Sequence, residues 1–130
     1  MTRLFILEKS EDLKSSLSRF FSSKGFQVES FSTAREVEEA TKKLGMPDVL
    51  LVDSDYDQPI LLRLIDRLRL KVKVIVCVTN RFQDENVKLS LYLHGCLDVK
   101  PRTQLPSLYN SVIMALENEP NWNIENVKQT

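Results

Sequence analysis

The chain has 130 residues, enough for one domain with one core, and 42% hydrophobic with 28% charged residues suits a water-exposed globular fold. Eighteen Lys and Arg balance eighteen Asp and Glu, so no global charge draws the chain to nucleic acid or to an acidic membrane surface. No apolar run approaches the roughly 20 residues needed to span a bilayer, and the apolar stretch after Arg3 is too short for the core of a secretory signal.

In chain order, Leu4-Phe5-Ile6-Leu7 reads as a buried strand. Ser10 then caps a helix with Glu11 and Asp12 in its first turn, where the dipole favours acids. Leu13, Leu17, Phe20 and Phe21 carry its apolar face, and Gly25 closes it. Phe26-Gln27-Val28-Glu29 alternates like a strand. Thr33 and Glu36 have capping-box spacing ahead of a stripe of Ala34, Val37, Ala40 and Leu44. Val49-Leu50-Leu51-Val52 is a fully apolar strand ending at Asp53. Pro59 suits the first turn of a third helix lined by Leu61, Leu64, Ile65 and Leu68. Residues 72–78 form the strongest strand. Asp84 or Asn86 begins a fourth helix with Val87, Leu91 and Tyr92, closed by Gly95, with His94 near its C-terminus. Cys96-Leu97-Asp98-Val99 is a short fifth strand. Leu105, Leu108, Val112 and Leu116 mark the last helix, with Pro106 near its start.

Near-continuous apolar strands alternating with amphipathic helices predict an α/β domain: a doubly wound (βα)5, flavodoxin-like, parallel five-stranded sheet covered on both faces. The domain is expected over residues 1–118, with 119–130 a tail or the stub of a linker. With no output domain after residue 118, the chain reads as a stand-alone adaptor or a segment of a longer protein. Cys77 and Cys96 read most plainly as free buried thiols in a reducing cytoplasm, which sets the expected localisation, with a disulfide as the alternative that nothing in the sequence favours.

In such sheets the ligand site lies at the carboxyl ends of the strands. Those ends hold Glu8 and Lys9, Asp53, Thr79, and Lys100 to Arg102. A carboxylate, a hydroxyl and a cation gathered there suit a phosphoryl group carried on the carboxylate, with a divalent metal offsetting the charge. The Arg63, Arg67 and Arg69 series reads as a solvated helix face.

At these residues the sequence resembles the receiver domains of two-component response regulators, the CheY-like family, over roughly residues 3–117. Pro47-Asp48-Val49-Leu50-Leu51-Val52-Asp53 is similar to the segment leading to the phospho-accepting aspartate, which makes Asp53 the matched acceptor. Val76-Cys77-Val78-Thr79 resembles the strand ending whose hydroxyl contacts the phosphoryl group. Gly95-Cys96-Leu97-Asp98-Val99 resembles the turn into the fifth strand, and Lys100-Pro101 the family's Lys-Pro pair. Counting without a gap puts Arg102 in that role instead of Lys100. The resemblance implies a Mg2+ site of Glu8, Asp53 and Asp55. It also implies a histidine kinase or phosphotransfer protein as donor, and a downstream signalling protein as partner. A homodimer would form through the fourth helix with the fifth strand and helix, or through the first and fifth helices. No direct contact with nucleic acid or membrane is implied.

The departures from that pattern point to phosphorelay chemistry that has decayed. The family's adjacent acidic pair after the first strand is here Glu8 and Lys9. An ammonium in place of a carboxylate removes a ligand and repels the ion by several kcal/mol, at an effective dielectric of about 20. Lys9 could instead pair with Asp53 and take over the metal's electrostatic role. The loop Ser54-Asp55-Tyr56-Asp57-Gln58-Pro59 is short and lacks the family's Gly, and Val99 replaces the switch aromatic. These features favour a pseudo-receiver that works through protein–protein interaction and is not an enzyme. A phospho-accepting receiver is the alternative. A remote third reading is an Asp-dependent small phosphatase of the haloacid-dehalogenase type, since Asp53-Ser54-Asp55 is similar to its Asp-x-Asp motif. That class needs a downstream acid cluster, for which the chain offers only Glu117, Glu119 and Glu125.

Overall fold

The computed structural model describes residues 2–79, 84–101 and 104–129, with side chains described as far as residue 117. The elements alternate: β1 (Arg3–Leu7), α1 (Glu11–Ser23), β2 (Gln27–Phe31), α2 (Ala34–Leu44), β3 (Val49–Asp53), α3 (Gln58–Leu68), β4 (Val74–Thr79), α4 (Glu85–His94), β5 (Asp98–Pro101) and α5 (Leu105–Gln129). All pairings are parallel, in the order β2-β1-β3-β4-β5, which leaves β2 and β5 as the edges. The predicted doubly wound sheet is therefore the fold.

Strand alternation divides the core into two layers. Phe5, Leu7, Leu50, Val52, Ile75, Cys77 and Val99 face α2, α3 and α4. Leu4, Ile6, Val49, Leu51, Val74, Val76 and Val78 face α1 and α5. Residues of β3 and β4 are buried on both sides, which is why they read as unbroken apolar runs. Phe21 anchors the second layer through edge contacts with Phe20 and Phe26.

The helix starts follow their capping residues. Ser10 Oγ accepts from Leu13 N–H, and Thr33 and Glu36 form the full capping box. Of the two candidates for α4 it is Asp84 that caps, accepting from Asn86 and Val87 N–H. His94 ends α4 with Nδ1 2.8 Å from the Ser90 carbonyl, so that nitrogen carries the hydrogen.

Several boundaries differ from the sequence reading; β4 starts at Val74 and not at Val72, because Lys71 and Val72 N–H still turn back to the Leu68 carbonyl. β2 starts at Gln27 because Phe26 N–H turns back to the Phe21 carbonyl. β5 starts at Asp98, two residues later than expected, because Cys96 N–H bonds to the Leu91 carbonyl and finishes α4. Gly95 has φ +123°, and a Cβ there would lie 2.9 Å from Arg69 Cβ, so this turn requires glycine twice over. α5 continues to Gln129, so the backbone is helical across most of the segment read as a tail. Among the described residues, no helix is long and apolar enough to cross a membrane.

The free-thiol reading is corrected. Cys77 of β4 and Cys96 are joined in a disulfide, with Cα atoms 6.3 Å apart. Both lie in the core layer beneath α4, where the turn after Gly95 brings Cys96 over β4.

Candidate functional site

The register sets a row of side chains at the carboxyl edge. Asp53 pairs with Val78, and Val78 pairs with Lys100, so all three point to the same face of the sheet. Leu7 pairs with Val52, so Glu8 follows β1 at the level where Asp53 ends β3. With strands about 4.8 Å apart, Asp53 and Lys100 are separated by roughly 10 Å of backbone. Thr79 pairs with Pro101 one step further along and belongs to the opposite face, with Ile75 and Cys77.

Two acids in this row are buried. Glu8 and Asp53 are each 1% exposed, an unusual state for carboxylates that signals specific surroundings. Glu8 Oε2 accepts from Ser10 N–H at 3.0 Å, which ties it to the start of α1. Asp53 Oδ1 accepts from Asp55 N–H at 2.9 Å, an Asx-type turn that sets the course of the following loop. Ser54 N–H continues the ladder to the Val78 carbonyl, and its side chain is fully buried. Asp55 and Asp57 are exposed. Thr79 is buried at 1%. Among the described residues, no group of three His, Cys, Asp or Glu side chains is gathered closely enough to hold a metal ion.

The cations are engaged in contacts the sequence did not reveal. Lys9 is exposed, and its ammonium stands over the Tyr56 ring, 4.7 Å from the centroid. Lys100 Nζ lies 3.7 Å from Asp98 Oδ2, two residues back on the same face of β5. Asp98 also accepts from its neighbour Val99 N–H and from Tyr92 OH, so it organises the base of this edge strand. Burial, and then the Asp98 charge, raise the Tyr92 phenol above its ordinary range. Val99, which the sequence reading set in place of the switch aromatic, is buried in the core. Arg102, the alternative cation, lies outside the described residues.

Tyr56 was the residue missed. Its OH donates to the Ser32 carbonyl at 2.6 Å, tying the loop after β3 to the start of α2. Its ring packs on the core layer beneath α2 and α3, and Lys9 covers the outside. Burial first, then the charges of Glu8, Glu36 and Asp55, push its phenol far above the usual value of 10.0. The one signal available was a large aromatic inside an otherwise polar loop. Because the folded state holds the phenol protonated, this stabilisation is complete below pH 10 and is lost as pH rises from there through the folded-state value. Tyr56→Phe is expected to flatten that alkaline loss and to cost about 1 kcal/mol at neutral pH. Urea melts of both proteins from pH 8 to 11 check this, and parallel alkaline slopes would disprove it.

Likeness to solved structures fits this geometry. The receiver domain of the TMAO respiratory system response regulator TorR is 21% identical with a TM-score of 0.82, matching 92% of this chain and 99% of its own. A two-component response regulator from Clostridium difficile is 18% identical with a TM-score of 0.80, covering 90% of this chain and 97% of that one. A response regulator from Thermotoga maritima is 16% identical with a TM-score of 0.79, covering 90% and 98%. The chain thus has the receiver fold along nearly its whole described length. No family model and no curated protein matches the sequence.

Proposed function

We propose that the chain is a signal-transduction module of the receiver type in which Asp53 holds the phosphoacceptor position while the metal site has degenerated. The observation that carries this reading is Lys9. It stands where a second acid would complete a magnesium site, and its ammonium is seated over Tyr56 at 4.7 Å. Magnesium fits the remaining donors badly: Glu8 and Asp53 are the two buried acids at this edge, and the Lys9 ammonium takes the place of a third carboxylate. Engagement of Lys100 by Asp98 adds to this, because a phosphoryl group on Asp53 would need that cation turned toward it.

The module then acts through a constant protein surface. A face formed by α4 and the turn into β5 suits this, since Leu89, Leu93 and Leu97 there are 57%, 69% and 52% exposed. A downstream signalling protein or a second copy of the chain is the fitting partner.

A second reading, a working phospho-accepting receiver served by a histidine kinase or phosphotransfer protein, draws support from the burial of Asp53 and Glu8 at one edge of the sheet. Intact mass after incubation with magnesium and acetyl phosphate separates the two, with Asp53→Asn as control. The expected result is no adduct on the wild type. A single phosphoryl adduct on the wild type, absent from Asp53→Asn, would replace the first reading with the second.

A further inference from the structure

Away from the strand ends, α2 and α3 leave an open cleft of about 160 Å³ between them. Its walls carry three arginines from two helices: Arg35 in the first turn of α2, and Arg63 and Arg67 one turn apart on α3. The sequence alone presented the α3 arginines as a solvated stripe. The fold adds Arg35 from across the cleft, which makes a patch drawn from two elements. Leu64, 1% exposed, lies on the floor, and Ile60, 48% exposed, stands at the rim.

One acid, Glu38, lines the cleft and bonds Arg67 at 2.8 Å. Arg35 is held by Glu39 at 3.1 Å with 89% of its own side chain exposed. Arg63 has no ion pair among the described residues. Exposed pairs of this kind contribute about 0–1 kcal/mol, so an incoming carboxylate exchanges for Glu38 or Glu39 at little cost. Guanidinium forks favour planar carboxylates, and the α2 N-terminal turn adds its positive dipole end.

We propose that this cleft docks an acidic peptide segment of a partner protein, with carboxylates on Arg63 and Arg67 and an apolar side chain covering Ile60. A nucleic acid is disfavoured because Glu38, Glu39 and Asp66 interrupt the basic residues. The proposal rests on neither Asp53 nor Lys9.

The test uses the full chain and a fluorescein-labelled peptide of alternating Glu and Leu, read by anisotropy. A Lys–Leu peptide and a single-stranded DNA oligonucleotide serve as comparators. Saturable binding of the acidic peptide is expected. Arg63→Glu is expected to weaken it about tenfold or more, and Glu38→Gln, which frees Arg67, to tighten it about threefold. Asp53→Asn is expected to bind as the wild type does. All the substitutions at the cleft are at partly or well exposed positions, and thermal melts verify that the fold is kept. Absence of binding, binding indifferent to Arg63→Glu, or tighter binding of the DNA would each overturn the proposal.

Discussion

Lys9→Asp is expected to give the domain magnesium affinity at least a hundredfold above that of the wild type, and with it an acyl phosphate on Asp53. Two charged contributions change at once. The ammonium that repels a divalent ion disappears, and a carboxylate appears next to Glu8, which is buried at the same edge. At about 5 Å and an effective dielectric of about 20, each unit-charge interaction is worth about 3 kcal/mol, and a hundredfold in affinity needs about 2.7 kcal/mol. Calorimetric titration with magnesium, followed by intact mass with acetyl phosphate, reads both effects. Wild type and Lys9→Asp binding magnesium equally well would remove Lys9 from the explanation. The substitution also takes the cation off the Tyr56 ring, but an exposed contact of that type is worth only about 0.5–1 kcal/mol, so the fold should survive.

Phe21→Ala is expected to cost about 3–5 kcal/mol of stability and to lower the melting temperature by roughly 10–20 °C. Phe21 is fully buried, with edge contacts to Phe20 at 5.2 Å and Phe26 at 5.4 Å and a tilted contact to Tyr109 at 6.4 Å. It therefore joins α1, the approach to β2, and α5 in one cluster. Truncation leaves a cavity whose neighbouring rings are fixed by other contacts and cannot collapse into it. A urea titration with unchanged slope and a reduced midpoint is the expected record. A loss below about 1 kcal/mol would mean that α5 does not pack on α1 in solution.

The fold was legible where burial writes itself into composition. Residues 49–52 and 74–78 are apolar on both faces, and only a covered parallel sheet asks for that. Thr33, Glu36, Asp84 and Gly95 announced their helix ends because each supplies a specific hydrogen bond or backbone conformation. The edges were read less well. β5 is four residues long, and its start depends on whether Cys96 continues a strand or closes a helix, which periodicity over so few residues does not decide. In the site, the strand ends pointed to Glu8, Asp53, Thr79 and Lys100 from sequence, because a parallel sheet sends every carboxyl end to one rim. What each side chain touches there was not legible. The Asp98–Lys100 pair, the Tyr56–Ser32 bond and the Cys77–Cys96 link all join residues whose contact depends on register or loop path.

The two rims of the sheet have a consequence for assembly. β5 offers a ladder of four residues, and its last, Pro101, has no N–H to donate. β2 places the charged Glu29 at the middle of the other rim. Neither rim is a long, apolar template on which a neighbouring chain could add a strand. Association of this protein is therefore left to its helical faces, where side chains choose the partner, and the backbone itself recruits none.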